Sequence, residues 1–488
     1  MKLSKLIEGI NNAESINFKE TEITGISYNS LTTRKGDIFV CLVGENSDGH
    51  NYAQMAADKG AVALMTEREL PIDIPQIKVK STRHQIAELA AQYYEYPSKN
   101  INMIGVTGTN GKTTVTHLLQ KIFEASGEKC GIIGTLGYKF KSTDDYAEAK
   151  HTTPQAPEFQ HLLKKAADEG IKTIAAEVSS HSLEQNRVGG TIWNTAVLTN
   201  LTQDHLDYHI TMNNYFEAKA ILFRGLKDGD FAVINKDDEY AERFISVVPN
   251  GVKVVTYGVK KEADYSAKDI SFSMHGAKYT LICDGKEYPV NLQLNGMFSV
   301  YNTLAAIAAA NVNGVEIPVI IKVLEATKGV AGRFEAVCKN PLVIVDYAHT
   351  PDGLENVLKA AAELKGKNSR LICLFGCGGD RDATKRPKMG KIADEKSDII
   401  VVTSDNPRSE DPDLIISDIM AGIQTVNPKR VFVESDRRKA IELLKTVSKP
   451  EDIVLVAGKG HEDYQILKDK TIHFDDREEV RKVFNCEE

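Results

Sequence analysis

The segment 108–114 has the sequence GTNGKTT, whose residue types bind phosphate groups in proteins. Its glycines leave backbone N–H groups free to point at phosphate oxygens, and a following helix adds the positive end of its dipole. The Lys112 ammonium would neutralise terminal phosphates, and the Thr113 hydroxyl would coordinate Mg²⁺. The strict form of the loop has a glycine where this chain has Val106, so this loop is a shortened variant. We predict a nucleoside triphosphate site formed by Gly108, Thr109, Asn110, Gly111, Lys112, Thr113 and Thr114.

Glu177 closes an apolar segment of strand length, at residues 173–176. An acid at the end of a strand in a phosphate-loop domain can hold Mg²⁺ directly or through water. A strand-end acid that faces solvent gives the same pattern, so both interpretations stay open.

The loop at residues 199–209 concentrates metal-binding side chains, because it contains Asp204, His205, Asp207 and His209. Oxygen and nitrogen ligands at this density suit a divalent ion or a phosphate site. An Asp that caps a helix, with incidental histidines, would look similar.

Lys219 stands in an apolar stretch of helical periodicity. Its neighbours one turn away are Tyr215, Phe216, Leu222 and Phe223. Burial of an amine among such residues favours its neutral form and lowers its pKa. A neutral amine can react with CO₂ to give a carbamate, which is a carboxylate-like metal ligand. The alternative is a lysine whose stem is buried and whose ammonium reaches solvent.

Polar loops follow four apolar strand-like segments in the last third of the chain, at residues 346–351, 379–382, 405–408 and 458–462. Open parallel sheets bind ligands at the carboxyl ends of their strands. Arg381 and Arg408 could each hold a carboxylate through paired hydrogen bonds, while Asp405 and Glu462 could hold an ammonium. Four such loops on one edge predict a site for a small zwitterion.

These residues need three α/β units to position them. A chain of 488 residues is too long to fold around one hydrophobic core, and its length suggests roughly three domains. Short apolar runs alternate with helical periodicity throughout, which predicts mainly parallel sheets. Linker-like sequence near residues 97 and 332 divides the chain into domains at 1–97, 98–332 and 333–488.

Individual elements can be predicted from the same periodicity. Helical spacing begins at Val115, and an alanine-rich helix is expected over 299–313, with a hairpin turn at 284–285. Gly376-Cys377-Gly378-Gly379 lacks the third glycine of a dinucleotide fingerprint, so NAD binding is not predicted. The expected strands are 38–43, 60–64, 173–176, 195–198, 231–234, 342–346, 371–375, 399–403, 431–434 and 453–457.

Composition restricts the class of protein. The formal net charge of -8 argues against nucleic-acid binding, which needs a basic excess. Seven scattered cysteines predict reduced thiols rather than a disulfide framework. Neither a secretory signal nor an apolar run of membrane-spanning length is present in the sequence. We expect a soluble, cytoplasmic monomer with no membrane insertion.

The chain resembles the Mur ligases of peptidoglycan synthesis over essentially its whole length. The resemblance is carried by the segments 108–114, 151–154, 177–181, 204–205, 218–219 and 346–351, and by Asn302 and Gly332-Arg333. It is nearest to the members that add the third residue of the stem peptide. It implies an N-terminal domain for the UDP end of the substrate, a central ATPase domain, a C-terminal Rossmann-like domain for the incoming amino acid, and the use of ATP with Mg²⁺.

The resemblance also implies roles for single residues. Ser30 would contact the UDP-sugar, although the family usually has Asp-Ser-Arg where this chain has Asn29-Ser30-Leu31. Lys219 would be carbamylated and would bind a second Mg²⁺ together with His205, beside an ion on Thr113 and Glu177. Further nucleotide contacts would come from Asn302, Arg333 and Asp346. The muramoyl-dipeptide would be held by Thr152, Thr153, Ser179, Gln185 and Arg187.

The segment Asp405-Asn406-Pro407-Arg408 is similar to the selectivity motif of members that add meso-diaminopimelate. Diaminopimelate has a distal carboxylate that lysine lacks, and Arg408 supplies a matching fork. Arg381, Gly458 and Glu462 match other positions around that amino acid. Three alternatives stay open at this point: the same chemistry with L-lysine, a ligase like folylpolyglutamate synthase, and an ATP-driven switch that binds a protein partner.

Overall fold

A computed structural model describes residues 1–10, 12–44, 47–147, 151–273, 275–425 and 427–486. The N-terminal unit has a five-stranded sheet in the order β1-β5-β4-β3-β2, in which only β1 is antiparallel to its neighbour. Its strands are β1 (Glu14–Ile16), β2 (Gly25–Ser27), β3 (Asp37–Val40), β4 (Ala63–Thr66) and β5 (Gln76–Lys78). Its helices are α1 (Leu3–Ile7), α2 (Ala53–Asp58) and α3 (Thr82–Tyr93). Short 3-10 turns lie at Gly49–Tyr52 and Pro97–Asn100.

The central unit has a ten-stranded sheet in the order β15-β14-β13-β12-β11-β10-β6-β9-β7-β8. The strands are β6 (Asn102–Thr107), β7 (Cys130–Gly134), β8 (Gly137–Lys139), β9 (Thr173–Glu177), β10 (Thr195–Leu198), β11 (Phe231–Asn235), β12 (Lys253–Gly258), β13 (Tyr265–Ser273), β14 (Gly276–Cys283) and β15 (Lys286–Asn291). The helices are α4 (Lys112–Ala125), α5 (Ala156–Asp168), α6 (Ser180–Glu184), α7 (Leu206–His209), α8 (Met212–Arg224), α9 (Ala241–Ser246), α10 (Met297–Val312) and α11 (Ile317–Ala326). The parallel strands β10, β6 and β9 lie side by side, so their carboxyl ends share one edge.

The C-terminal unit has a six-stranded sheet in the order β16-β17-β21-β18-β19-β20, with only β16 antiparallel. Its strands are β16 (Glu335–Lys339), β17 (Leu342–Asp346), β18 (Leu371–Phe375), β19 (Ile399–Val402), β20 (Val431–Val433) and β21 (Ile453–Ala457), and a small hairpin adds β22 (Tyr464–Ile466) and β23 (Thr471–His473). Its helices are α12 (Pro351–Glu363), α13 (Lys385–Lys396), α14 (Pro412–Met420), α15 (Arg437–Val447) and α16 (Asp476–Phe484).

The central core lies where α4 and α10 cover the sheet. Val115, Leu118 and Leu119 of α4 are buried against Ile104 and Val106 of β6. The alanines of α10 are fully buried, and their small side chains allow it to pack closely on α4. This packing fixes the amino end of α4, which begins at Lys112, beside the carboxyl edge of the sheet.

The predicted fold class is confirmed. Each of the three units combines helices with a sheet whose neighbouring strands are mostly parallel. The strands at 342–346, 371–375 and 453–457 were predicted with their observed limits, and the hairpin turns at Asp284-Gly285. The predicted domain limits near 97 and 332 fall between the sheets and stay predictions. Within the described residues, no helix combines the length and apolar character that crossing a membrane requires.

The prediction that all cysteines are reduced is wrong for one pair. Cys338 in β16 and Cys486, which follows α16, form a disulfide with their Cα atoms 5.7 Å apart. The two residues are 148 positions apart in the chain, so their spacing contains no signal, and it is the packing of α16 beside β16 that brings them together. Cys41, Cys130, Cys283, Cys373 and Cys377 are free and buried.

Candidate active site

The phosphate loop connects β6 to α4 and lies tightly against the neighbouring chain. Gly108 and Gly111 have positive φ angles of 148° and 87°, which favour glycine. A Cβ on Gly108 would lie 1.9 Å from the Thr199 hydroxyl, and one on Gly111 would lie 2.4 Å from the Asn302 side-chain oxygen. The loop is therefore a close-fitting cradle that accepts no side chain at these positions.

Lys112 lies over this loop. Its Nζ donates to the backbone oxygens of Gly108 and Thr109, both at 2.8 Å. Burial lowers the pKa of Lys112, while the charges of Glu177 and Asp204 oppose that shift. An ammonium that is held only by loop carbonyls is placed to contact a phosphate that enters the loop.

Glu177, at the end of β9, links the phosphate loop to the neighbouring strand. Its carboxylate accepts from the Thr113 hydroxyl at 3.1 Å and from the backbone N–H and hydroxyl of Thr135 at 2.9 and 3.0 Å. Arg333 also donates to the Thr113 hydroxyl, at 3.1 Å. Glu177 is 1% exposed, which excludes the solvent-facing alternative. Buried hydroxyl and carboxylate oxygens are the donor set that Mg²⁺ prefers, so the Thr113–Glu177 pair fits that ion.

Lys219, on α8, is fully buried, as its apolar neighbours predicted. It is 1% exposed, and its Nζ donates to the Gly108 backbone oxygen at 2.9 Å and lies 4.6 Å from the centre of the Tyr215 ring. Burial, reinforced by the charge of Lys112, lowers the pKa of Lys219 well below its ordinary value. The alternative in which the ammonium reaches solvent is therefore wrong, and a neutral amine is favoured at this position.

Asp204 does not cap a helix, contrary to one of the two interpretations. The residue that precedes α7 is His205, which makes no side-chain capping bond. The Asp204 carboxylate lies 3.2 Å from His205 and 3.9 Å from both His349 and Lys385 of the C-terminal unit. Burial alone would raise the pKa of Asp204, but these three groups outweigh it and lower that pKa. The carboxylate thus joins two units of the chain.

The surroundings of His205 favour its neutral form, which is the form that binds metal ions. Burial lowers its pKa to about 3. Its ring lies 4.8 Å from the ring of His181, between centroids. Within the described parts of the chain, no three His, Cys, Asp or Glu side chains are grouped to hold a metal ion. Metal binding here would therefore need oxygens from Thr113, from a modified lysine or from substrates.

A cavity of about 390 Å³ opens beside the phosphate loop, between the central and C-terminal units. Arg333 stacks 4.3 Å from the Tyr347 ring centre, and Asp346 accepts from the backbone N–H of Phe334 at 2.6 Å. The Asn110 amide donates to Asp352 at 3.0 Å across the cavity, a contact that the sequence did not predict. The predicted nucleotide residues that line this cavity are Asn110, Gly111, Thr113, Thr114, Asn302, Arg333 and Asp346.

A second cavity, of about 460 Å³, brings most of the predicted dipeptide residues together with most of the predicted amino-acid residues, whereas Gln185 and Pro407 are not part of its lining. Arg187 donates to Gln185 at 2.7 Å and to the Thr153 backbone oxygen at 3.1 Å, which fixes its guanidinium. The lining from the central unit includes Thr152, Thr153, Ser179, Arg187 and His205. The lining from the C-terminal unit includes Arg381, Asp405, Asn406, Arg408, Gly458 and Glu462.

The C-terminal wall of this second cavity carries both cations and acids, among them Arg381, Arg408, Asp405 and Glu462. Arg408 has a positive φ of 52° and donates to the Gly379 backbone oxygen at 2.8 Å. Pro407, before it, is buried. Burial lowers the pKa of Arg408, and the nearby Arg381 adds to the effect. Two guanidinium groups close enough to repel each other make this wall attractive to a carboxylate.

Ser30 lies apart from both cavities. It is buried in the turn after β2, where the Asn29 side chain accepts from the backbone N–H of Leu31 at 2.9 Å. Leu31 is 73% exposed. The predicted contact of Ser30 with a UDP-sugar stays a prediction.

Three family models match the chain. The model of the Mur ligase family, catalytic domain, matches residues 22–94, the Mur ligase middle domain matches 106–310, and the Mur ligase, glutamate ligase domain, matches 332–460.

Curated relatives and a solved structure match over almost the full length. The UDP-N-acetylmuramoyl-L-alanyl-D-glutamate–2,6-diaminopimelate ligase of Syntrophomonas wolfei subsp. wolfei is 44% identical, and the match covers 98% of each chain. The ligase of the same name from Clostridium botulinum is also 44% identical, over 95% of each chain. A solved structure of a ligase of that name has a TM-score of 0.67 and 34% identity, over 95% of each chain.

Proposed function

The chain belongs to the Mur ligase family, and we propose that it joins meso-2,6-diaminopimelate to the D-glutamate of UDP-MurNAc-L-Ala-D-Glu, at the cost of ATP, in peptidoglycan precursor synthesis. The observation that carries this proposal is the second cavity, whose walls combine the residues expected at the dipeptide with those expected at the amino acid. The names of the similar ligases from Syntrophomonas wolfei and Clostridium botulinum support the same substrates.

The first step would be attack of the glutamate γ-carboxylate on the γ-phosphate of ATP, which gives an acyl phosphate and ADP. Two anions must meet, so the rate depends on how well their charges are screened. Lys112 would screen them from the phosphate loop, whose glycines leave room for phosphate oxygens. Mg²⁺ on Thr113 and Glu177, with a second ion on His205 and a carbamylated Lys219, would supply further positive charge.

The carbamate on Lys219 is part of this proposal. It is supported by the complete burial of the amine and by its lowered pKa, since only a neutral amine reacts with CO₂. The modification would place an anion beside Lys112, so that the Lys219 side chain would attract the Lys112 ammonium.

In the second step, the amine of diaminopimelate would attack the acyl carbon and expel phosphate through a tetrahedral intermediate. Asp405 and Glu462 would bind the distal ammonium, and Arg408 with Arg381 would bind the distal carboxylate. Lysine lacks that carboxylate and would leave two guanidinium groups without an anion, which is why diaminopimelate is preferred in this proposal. Gly458 would allow close approach of the substrate, because a Cβ there would lie 3.2 Å from the Asp405 carboxylate.

We further propose that the enzyme is a cytoplasmic monomer that closes around its substrates by hinge motion near residues 97 and 332. The substrates would come from different domains: the UDP end near Ser30, ATP on the central unit and diaminopimelate on the C-terminal unit. Contacts such as Asp204 with Lys385 join the central and C-terminal units on the side of the second cavity.

One coupled assay tests the proposed function. Purified enzyme would be given ATP, Mg²⁺ and UDP-MurNAc-L-Ala-D-Glu, with diaminopimelate or lysine in parallel, and phosphate release would be followed. We expect release only when both co-substrates are present, and faster release with diaminopimelate. Equal release without any amino acid would favour the ATP-driven switch. Turnover of a folate with glutamate would favour a folylpolyglutamate synthase-like ligase.

A further inference from the structure

Lys459 is a fully buried cation that the proposed function leaves without a role. It follows β21 between Gly458 and Gly460, and it is 0% exposed. Its Nζ lies 3.1 Å from a Glu462 carboxylate oxygen, 3.3 Å from the Asn406 side-chain oxygen and 3.7 Å from an Asp405 carboxylate oxygen. A buried ammonium needs such partners, because leaving one unpaired costs several kcal/mol.

The partners of Lys459 face the second cavity, whereas Lys459 is not part of its lining. Glu462 also accepts from the Asn406 amide at 2.9 Å. The Oδ1 atom of Asp405 is buried and accepts no hydrogen bond within the described residues. This oxygen is the one that lies 3.7 Å from Lys459 Nζ, so its charge is balanced by the ion pair rather than by a hydrogen bond.

Two buried acids that share one cation tend to share a proton when the cation is absent. Burial raises the pKa of Glu462, and the charge of Asp405 raises it further, while Lys459 opposes both. Arg408 and Arg437 face the same pair of acids, and so do the hydroxyls of Tyr347 and Tyr464. Among these groups, Lys459 is the cation in direct contact with both acids.

We propose that Lys459 is a positioning residue that keeps Glu462 ionised beside Asp405, so that the pair can bind the distal ammonium of the amino-acid substrate. This inference rests on the proposed function. Two ionised carboxylates offer the distal ammonium two charged acceptors, and the charge of Lys459 offsets the repulsion between them. Without Lys459, Glu462 takes up a proton, and only one carboxylate is left to accept a hydrogen bond from the ammonium.

Replacing Lys459 by Met tests the inference, because it removes the charge and keeps the length of the side chain. At pH 7 we expect the KM for diaminopimelate to rise about ten- to a hundredfold, the factor for one lost charge-assisted hydrogen bond. The KM values for ATP and for the UDP-dipeptide should change less than twofold. The ratio of variant to wild-type KM for diaminopimelate should fall as the pH rises from 6 to 8.5, because Glu462 then loses its proton in the variant.

Two further variants make the result specific. Lys459→Gln keeps a hydrogen-bond donor but no charge, so its KM for diaminopimelate should rise as in Lys459→Met. This variant tests the role of the charge if the methionine variant does not fold. Lys459→Met combined with Glu462→Gln leaves a single acid, and its KM ratio should no longer depend on pH. Lys468→Met removes an exposed lysine from the turn between β22 and β23 and should match the wild type.

The inference is overturned if Lys459→Gln binds diaminopimelate like the wild type at pH 7, or if the KM ratio is flat with pH. It is also overturned if the KM values for all three substrates rise together, which would indicate a general loss of structure. The wild-type assay separates this inference from the proposed function. If the wild-type enzyme fails to ligate diaminopimelate, the proposed function fails. If the wild type ligates normally and the variants show no effect, only the role of Lys459 fails.

Discussion

Lys112 and Lys219 donate to the same backbone oxygen, that of Gly108, at 2.8 and 2.9 Å. Lys112 opens α4 and Lys219 lies in the middle of α8, so the two amines approach the phosphate loop from different helices. Two ammonium groups so close together repel each other, and the more deeply buried of the two is the one that loses its proton. Lys219 is therefore the amine with the reactivity that carbamate formation needs.

Replacing Lys219 by Ala should lower kcat by about 10²- to 10³-fold, because one electrostatic contact at the reacting phosphate is lost. Bicarbonate or a short carboxylic acid should restore part of the activity by entering the space that the side chain leaves. Steady-state ADP release measures both effects. The exposed Lys227 provides a matched control, since Lys227→Ala should leave kcat unchanged. Normal turnover in the Lys219 variant would refute the carbamate.

Replacing Arg408 by Ala should lower kcat/KM for diaminopimelate about ten- to a hundredfold, because a paired hydrogen bond to the distal carboxylate is lost. The kcat/KM for lysine, which has no such carboxylate, should stay the same or increase. Competition between the two amino acids in one reaction, with the products separated by mass, measures the change in selectivity. If both amino acids lose activity by the same factor, Arg408 supports the fold of its loop and does not select the substrate.

The free energy of unfolding should decrease as the pH falls below about 6.5, the ordinary pKa of histidine. Burial lowers the pKa of His117 and of His209 to about 4 in the folded chain. Between these values the unfolded chain binds the protons that the folded chain excludes, so stability is complete above pH 6.5 and is lost on acidification. Each histidine contributes about 1.4 kcal/mol per pH unit in that window.

Thermal unfolding at pH 7.5, 6.0 and 5.0 measures this loss. His117→Gln should make the midpoint less sensitive to pH, because a neutral side chain replaces one that must be kept unprotonated. Its amide can still donate to the Thr113 backbone oxygen, which His117 Nδ1 contacts at 2.6 Å. If the unfolding midpoint of this variant depends on pH as strongly as that of the wild type, His117 does not contribute to the loss of stability in acid.

Replacing Arg437 by Met should lower the free energy of unfolding by about 3–5 kcal/mol, because it leaves a buried carboxylate without its partner. Arg437 pairs with Asp476 at 2.7 Å, and both side chains are 0% exposed. A second replacement, Asp476→Leu, should recover most of the loss. Chemical denaturation measures both variants. Arg438→Met is the matched control, because its pair with Glu479 is partly exposed and should contribute less than about 1 kcal/mol.

The sequence was most informative where local pattern determines structure. The phosphate loop, the strands at 342–346 and 453–457, and the burial of Lys219 all follow from residue type and periodicity over one or two turns. The polar loops that follow parallel strands also meet at one edge, as predicted, because strand direction determines where they end.

Other features depend on contacts between distant segments, which periodicity does not encode. The Cys338–Cys486 disulfide, the Arg437–Asp476 pair and the contact of Asp204 with Lys385 each join elements far apart in the chain. The burial of Lys459 depends on distant contacts in the same way. A lysine between two glycines looks like an exposed loop residue, and only the packing of 405–406 against 458–462 shows that it is enclosed.

Glu177 also connects the predicted nucleotide site to the predicted dipeptide site. The Glu177 carboxylate accepts hydrogen bonds from Thr113 of the phosphate loop and from Thr135. The Thr135 hydroxyl lies 3.1 Å from the Thr152 hydroxyl. The backbone oxygen of Glu177 accepts from the Thr153 hydroxyl at 2.8 Å. Under the proposed function, a shift of the dipeptide pocket would reach the nucleotide site through this one residue. A short chain of contacts of this kind would let an enzyme delay ATP cleavage until an acceptor is present, without a dedicated regulatory domain.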